Sequence, residues 1–342
     1  MIPPEAGTWI VREDAPGAGP DSPSVLFFSA AGPVSAVYRD AVPAGWRFAA
    51  LTDNEDEEEK VRLIAEADLL IHTDQRIERH HLEAASRLRI AHRQGVGTDA
   101  LDLGLLREFG VRLAICPDGT PEAVAEHAVL LMLAAGRHLV QLHLDVTERG
   151  RWPKWDYRPR SIGLAGSRVG LIGFGRIGQA TAERVLAFGS EVTVWRRDER
   201  PLPEGWDGRV AVTRSLEELF STCDIVSLHC PLNDDTRHLI DGRLLSLMGP
   251  HSVIVNTARG AVIVEDDLVE ALRAGRPGMA GLDCLTVEPA PRDNPLFTMP
   301  NVIVTPHMAA GTISTQLVKA RAVFANLQRG WQGDPLENEI LD

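Results

Sequence analysis

Cysteine is scarce in this chain: Cys116, Cys223, Cys230 and Cys284 are the only four in 342 residues. They show no close paired spacing and no secretory leader stands before them, so neither a disulfide framework nor a metal site is expected, and a cytoplasmic location is. No apolar run reaches the roughly 18 residues that span a bilayer, so no membrane partner is expected. Positive charge is also in deficit, with 35 Lys and Arg against 48 Asp and Glu and a net charge of −13. A surface of that sign repels nucleic acid and anionic lipid, which leaves a small molecule as the expected partner. Internal repeats and low-complexity segments are absent as well.

What is present suits two cores, since 342 residues exceed what one usually holds. Residues 1–23 are rich in Pro, Gly and acid and read as a loosely ordered extension. From Ser24 short apolar runs alternate with helical stretches: Val25–Phe28, Phe48–Leu51, Asp68–Ile71, Leu88–Ala91 and Val111–Ala114. Such alternation implies a parallel sheet covered on both faces. Thr120-Pro-Glu122 then places a capping Thr, a first-turn Pro and an early acid before one long apolar helix, Ala123 to about Arg149. A second series supplies Arg168–Ile172, Glu191–Trp195, Asp224–Leu228, Ser252–Asn256, Met279–Leu282 and Val302–Thr305, the six strands of a doubly wound dinucleotide domain. A helix from about Ile313 to Arg329 comes last, with no further strand expected.

The first strand of that second series runs into Gly173-Phe-Gly175-Arg-Ile-Gly178. In a strand–loop–helix setting, Gly173 makes the tight turn, Gly175 admits a pyrophosphate and Gly178 lets helix and strand approach. Arg176 and Ile177 then present backbone N–H groups at a helix start, where anions bind. At the end of the next strand, where an acid would read the ribose of NAD, stand Arg196 and Arg197. Cations there suit a 2′-phosphate, so NADP(H) is expected as the preferred cofactor. NAD(H) stays possible through Asp198, two residues on.

Three further residues carry chemistry. Arg259 follows a strand, at the sheet edge where open α/β folds place ligands, and its planar guanidinium can polarise a ketone and hold a carboxylate. His307 is a candidate acid–base group, because imidazole exchanges protons near neutrality. Glu288 can orient it and fix its tautomer. In the first half of the chain, Gln94-Gly-Val-Gly-Thr-Asp99 follows a strand with closely spaced glycines that expose N–H groups to an anion.

These motifs, in this order, resemble the D-isomer-specific 2-hydroxyacid dehydrogenases, and the resemblance covers roughly Val25 to Leu341. It implies a Rossmann dinucleotide domain, 120–306, inserted in a flavodoxin-like substrate domain made of 24–119 and 307–342. It also implies the roles: His307 as acid–base, Glu288 orienting it, Arg259 on the substrate, and the backbone of Val96 and Gly97 on its carboxylate. Asp283 would accept from the nicotinamide carboxamide, while Cys230, Pro231, Thr257, Ala258 and Ala310 would complete the cofactor contacts beside His307. A Glu at 288, where formate-oxidising relatives have Gln, disfavours formate. The resulting expectation is an NADP-preferring reductase of a small 2-keto acid such as glyoxylate or hydroxypyruvate, working as a homodimer in which Trp155, near Trp152 and Tyr157, reaches the partner's cleft. Two alternatives remain open: oxidation of a phosphite or phosphonate substrate, and a nicotinamide-sensing protein of the corepressor kind.

Overall fold

The computed structural model describes residues 12–19, 21–99, 101–197 and 200–341. Six strands come first: β1 (Arg12–Asp14), β2 (Ser24–Ala30), β3 (Arg47–Leu51), β4 (Leu69–His72), β5 (Ile90–Arg93) and β6 (Arg112–Ile115). Seven more come next: β7 (Arg168–Ile172), β8 (Glu191–Trp195), β9 (Ala211–Thr213), β10 (Ile225–Leu228), β11 (Val253–Asn256), β12 (Met279–Leu282) and β13 (Val302–Val304). β14 (Glu339–Ile340) closes the chain.

Two compact units result. The first takes the residues up to Thr120 and those from Thr312 onward, and the second runs from Pro121 to Gly311. The fold class is α/β with two doubly wound parallel sheets. The first sheet has the order β1-β3-β2-β4-β5-β6-β14, whose parallel centre is the flavodoxin-like arrangement. The second has the order β13-β12-β11-β10-β7-β8-β9, parallel throughout, which contains the Rossmann order with one strand added. Strands such as Val253–Asn256 are buried along their whole length, as expected where helices cover both faces.

Several expectations need correction. Residues 12–19 are not a loose tail, because β1 pairs antiparallel with β3 and Ala15 N–H donates to Trp46 O at 2.9 Å; residues 1–11 of that extension lie outside the described residues. The long helix is two, Thr120–Gly136 and Leu139–Thr147, bent by 57°. The break falls at His138, which takes a left-handed backbone at φ 52°, a conformation that cannot continue a right-handed helix. Thr120 caps nothing: its Oγ1 is buried without a hydrogen-bond partner. β1, β9 and β14 escaped the sequence pattern, being two- or three-residue strands at sheet edges. β14 is held by Arg112, which donates to both oxygens of Glu339 at 2.7 and 2.8 Å. Residues 307–311 belong to the second unit, because the carboxylate and carbonyl of Asp283 bind the N–H groups of His307, Met308 and Ala309. Among the described residues, no single helix is long and apolar enough to cross a membrane.

Candidate active site

The register of the second sheet assembles the site. Trp195 pairs with Ile172, Ile172 with Leu228, Leu228 with Asn256, Asn256 with Leu282 and Leu282 with Val304. Five adjoining strands and β8 therefore end in one row. The residues just after them, Arg196, Gly173, His229, Thr257, Asp283 and Thr305, leave the sheet along one edge. This is the carboxyl edge, and the strand order reverses between β7 and β10, where doubly wound folds take their ligands.

At that reversal the glycine loop forms a cradle. Gly173 has φ 99°, and a Cβ there would lie 2.8 Å from His229 O; a Cβ on Gly178 would overlap Gly173 O. Gly175 opens the helix Arg176–Ala187 with no side-chain cap, leaving its first N–H groups for an anion. The buried Nδ1 of His229 and Oγ1 of Thr257 lack hydrogen-bond partners. The cradle and these two atoms fit a dinucleotide. Arg176 is exposed and Ile177 half-buried. Cys230 is buried beside them, and burial pushes its thiol up to about 11, which makes it inert packing. Pro231 O accepts from Thr236 Oγ1 at 2.6 Å. Beyond β8, Arg196 donates to Pro201 O at 3.3 Å, and Arg197 pairs with Asp235 at 2.8 Å on the surface. Asp198 lies outside the described residues.

Arg259 sits on a turn braced by Asn256, whose Oδ1 accepts from Ala258 N–H at 3.0 Å and whose Nδ2 donates to Arg259 O at 2.8 Å. Gly260 has no room for a Cβ, which would overlap the Leu285–Thr286 peptide. That close approach brings the arginine turn against the loop carrying Glu288. Leu285 N–H donates to Glu288 Oε1 at 2.9 Å, and Oε2 lies 2.7 Å from His307 Nδ1. Burial opposes the charge on Glu288, but these bonds and the charges of His307 and Arg259 hold its pKa below the ordinary carboxylate value. Nδ1 faces the carboxylate, so Nε2 is the nitrogen left for a reacting group. His307 has φ 49°, a left-handed backbone uncommon outside glycine and found where the surroundings over-determine it.

Those surroundings are Asp283. Its carboxylate accepts from Thr305 Oγ1 at 2.6 Å, Met308 N–H at 3.0 Å and Ala309 N–H at 2.8 Å, while His127 Nε2 lies 2.9 Å from Thr305 Oγ1. Burial works against its ionisation, and these bonds still keep its pKa below the usual value. The Asp283 side chain is 0% exposed, so in this structure it organises the histidine loop. Ala310 ends that loop half-buried. Asn256, Thr305 and His127 carry no signal in the sequence that would have marked them. In the first unit, Arg93 donates to Gly97 O at 3.0 Å and lies 2.8 Å from His72 Nδ1. This leaves the N–H groups of Val96 and Gly97 without acceptors among the described residues.

Residues 129–309 match the D-isomer specific 2-hydroxyacid dehydrogenase, NAD binding domain. The chain is 38% identical over 279 residues to a glyoxylate reductase of Aeropyrum pernix, covering 78% of this chain and 81% of that one. It is 36% identical over 267 residues to a hydroxypyruvate reductase of Thermotoga maritima, covering 76% and 84%. To a D-3-phosphoglycerate dehydrogenase of Methanocaldococcus jannaschii it is 36% identical over 83% of its length, spanning only 53% of that longer protein. Among solved structures, the TT0316 protein of Thermus thermophilus superposes with a TM-score of 0.80 at 33% identity, over 93% of this chain and 100% of that one. The chain belongs to the D-isomer-specific 2-hydroxyacid dehydrogenase family. It is an oxidoreductase of CH–OH donors with a nicotinamide dinucleotide-binding unit.

Proposed function

We propose that the protein reduces a small 2-keto acid of the glyoxylate or hydroxypyruvate kind, with NADPH preferred over NADH. The observation that carries this reading is the 2.7 Å pair of His307 Nδ1 and Glu288 Oε2, set beside the Arg259 turn. The nicotinamide supplies the hydride when bound. Arg259 polarises the keto oxygen and holds the neighbouring carboxylate through its fork of N–H donors. His307 delivers a proton from Nε2 to the oxygen as the carbon is reduced, and Glu288 steadies the imidazolium before and the tautomer after. Within the first unit, the N–H groups of Val96 and Gly97 suit a carboxylate. Steady-state reduction across a panel of 2-keto acids with both nicotinamides tests this. Turnover of glyoxylate or hydroxypyruvate is the expected result, and activity confined to phosphite or a phosphonate would overturn it.

The assembly proposed is a homodimer through the second unit. Trp152 and Trp155 are 79% and 66% exposed, and Leu130 and Leu139 53% and 56%, apolar surface that a partner copy would cover. Arg137, Leu142, Trp152 and Tyr157 line an open groove of about 700 Å³ there. Tyr157 itself is stapled inward, donating to Asp145 at 3.1 Å. Light scattering at micromolar concentration should give twice the chain mass, and a monomer would rule the dimer out.

A further inference from the structure

We propose that Cys284, Glu288 and His307 form a binding site for a thiophilic divalent cation, Zn²⁺ foremost, and that filling it stops proton transfer by His307. The binding claim stands on geometry alone, whereas the inhibition rests on the function proposed above.

Cys284 Sγ, a carboxylate oxygen of Glu288 and a ring nitrogen of His307 all lie within 4.8 Å of one another. Zinc binds sulfur at about 2.3 Å and nitrogen or oxygen at about 2.0–2.2 Å in a tetrahedron. The corners of that figure are roughly 3.3–3.8 Å apart by the same bond lengths, so the donors need shifts of only about an ångström. Access is open on one side: the His307 and Glu288 side chains are 46% and 38% exposed. Cys284 forms the floor at 2% exposure, is in no disulfide and has its thiol 4.0 Å from Asn256 O, to which it donates. One thiolate, one imidazole and one carboxylate favour Zn²⁺ over Mg²⁺ or Ca²⁺, which take oxygen sets, and water would fill the fourth corner.

No electrons move in this step. The thiol gives up its proton to solvent, a metal–sulfur bond replaces the S–H bond, and the cation displaces the proton shared between His307 and Glu288. Glu288 then no longer supports an imidazolium, and the metal-bound ring holds its one proton on Nε2, where giving it up would leave an imidazolate, so His307 ceases to act as a proton donor. Because protons leave, affinity falls as pH falls.

A second cluster shows what an unsuitable set looks like. Glu57, His80 and His81 also lie within 4.8 Å of one another. There Lys60 Nζ already holds Glu57 at 2.5 Å, and Glu78 N–H donates to His81 Nδ1 at 3.0 Å. That backbone bond keeps the His81 proton on the nitrogen facing Glu57 and denies it to a metal.

The test uses the full chain, freed of metal by chelator. Titration with Co²⁺ should give a near-ultraviolet thiolate-to-metal charge-transfer band, lost in Cys284→Ser and kept in His80→Asn. Zn²⁺ should inhibit 2-keto acid reduction reversibly with EDTA, each variant being normalised to its own metal-free rate. Cys284→Ser should raise the half-inhibiting Zn²⁺ concentration at least about tenfold. Absence of the band from the unmodified protein overturns the site, as does a band or a zinc affinity untouched by Cys284→Ser. Cys284→Ala gives the same comparison should the serine variant misfold. Zinc bound through Cys284 without loss of rate would keep the site and remove the proton-transfer role of His307.

Discussion

His307 reaches its orientation through a backbone that a bulky side chain rarely adopts, and Asp283 holds it there through the N–H groups of residues 308 and 309. The candidate side chains were picked out in the sequence because their types and order are chemical statements: a cation, a carboxylate and an imidazole behind a glycine loop. The braces were not, since Asn256 and Thr305 bond to groups that only the fold brings near. At this scale the expected outcome is that His307→Ala and Arg259→Ala each lower turnover by at least about a hundredfold, the low end for a positioned proton donor or charge stabiliser. Fluorescence titration should find cofactor affinity nearly unchanged. Near-normal turnover in either variant would show that the site had been misread.

Among the elements, the proposed choice of nicotinamide rests on the loop after β8. Arg196 leaves the sheet in the same row as Gly173, while Arg197 is engaged with Asp235 in an exposed pair of the kind that contributes little and exchanges readily. An arginine–phosphate contact contributes about 1.5–3 kcal/mol, and about 1.36 kcal/mol is already tenfold. NADPH should therefore exceed NADH at least about tenfold in kcat/KM, and the ratio should shrink with added salt. Arg196→Asp should reverse it by exchanging a phosphate partner for a ribose acceptor. Equal efficiency in the unmodified protein would sink the assignment. The helices show where element-level reading stops: the apolar pattern runs past Gly136, and only the left-handed His138 reveals the bend.

For the whole molecule, two buried histidines in the first unit lower stability in acid, and the buried His229 of the second unit, also pushed down to about 4, acts in the same direction. His92 Nε2 accepts from Asn326 Nδ2 at 3.0 Å, and His72 Nδ1 accepts from Arg93 at 2.8 Å. Burial pushes both down to about 4, with Arg93 adding to the effect at His72. Between the ordinary histidine value and about pH 4 the unfolded chain therefore binds more protons than the folded one, so stability falls as pH falls through that window. With each pKa unit near 1.36 kcal/mol, the loss amounts to a few kcal/mol per histidine. Urea midpoints measured from pH 7 to pH 4.5 should drop steadily, and less steeply in His92→Asn. A flat profile would contradict the buried neutral state. The two-unit plan itself was legible from strand–helix alternation, whereas the shared register row was not, because strand pairing joins residues far apart in sequence.

The second unit is one uninterrupted stretch of chain, but the first is completed only by the residues from Thr312 onward. During synthesis the ribosome therefore releases every strand of the dinucleotide unit before the helix that supplies Ala320, Val323, Phe324 and Leu327 to the core of the first unit. The usual order, N-terminal region first, is inverted. The core of the first sheet is therefore completed only after another whole unit has been translated.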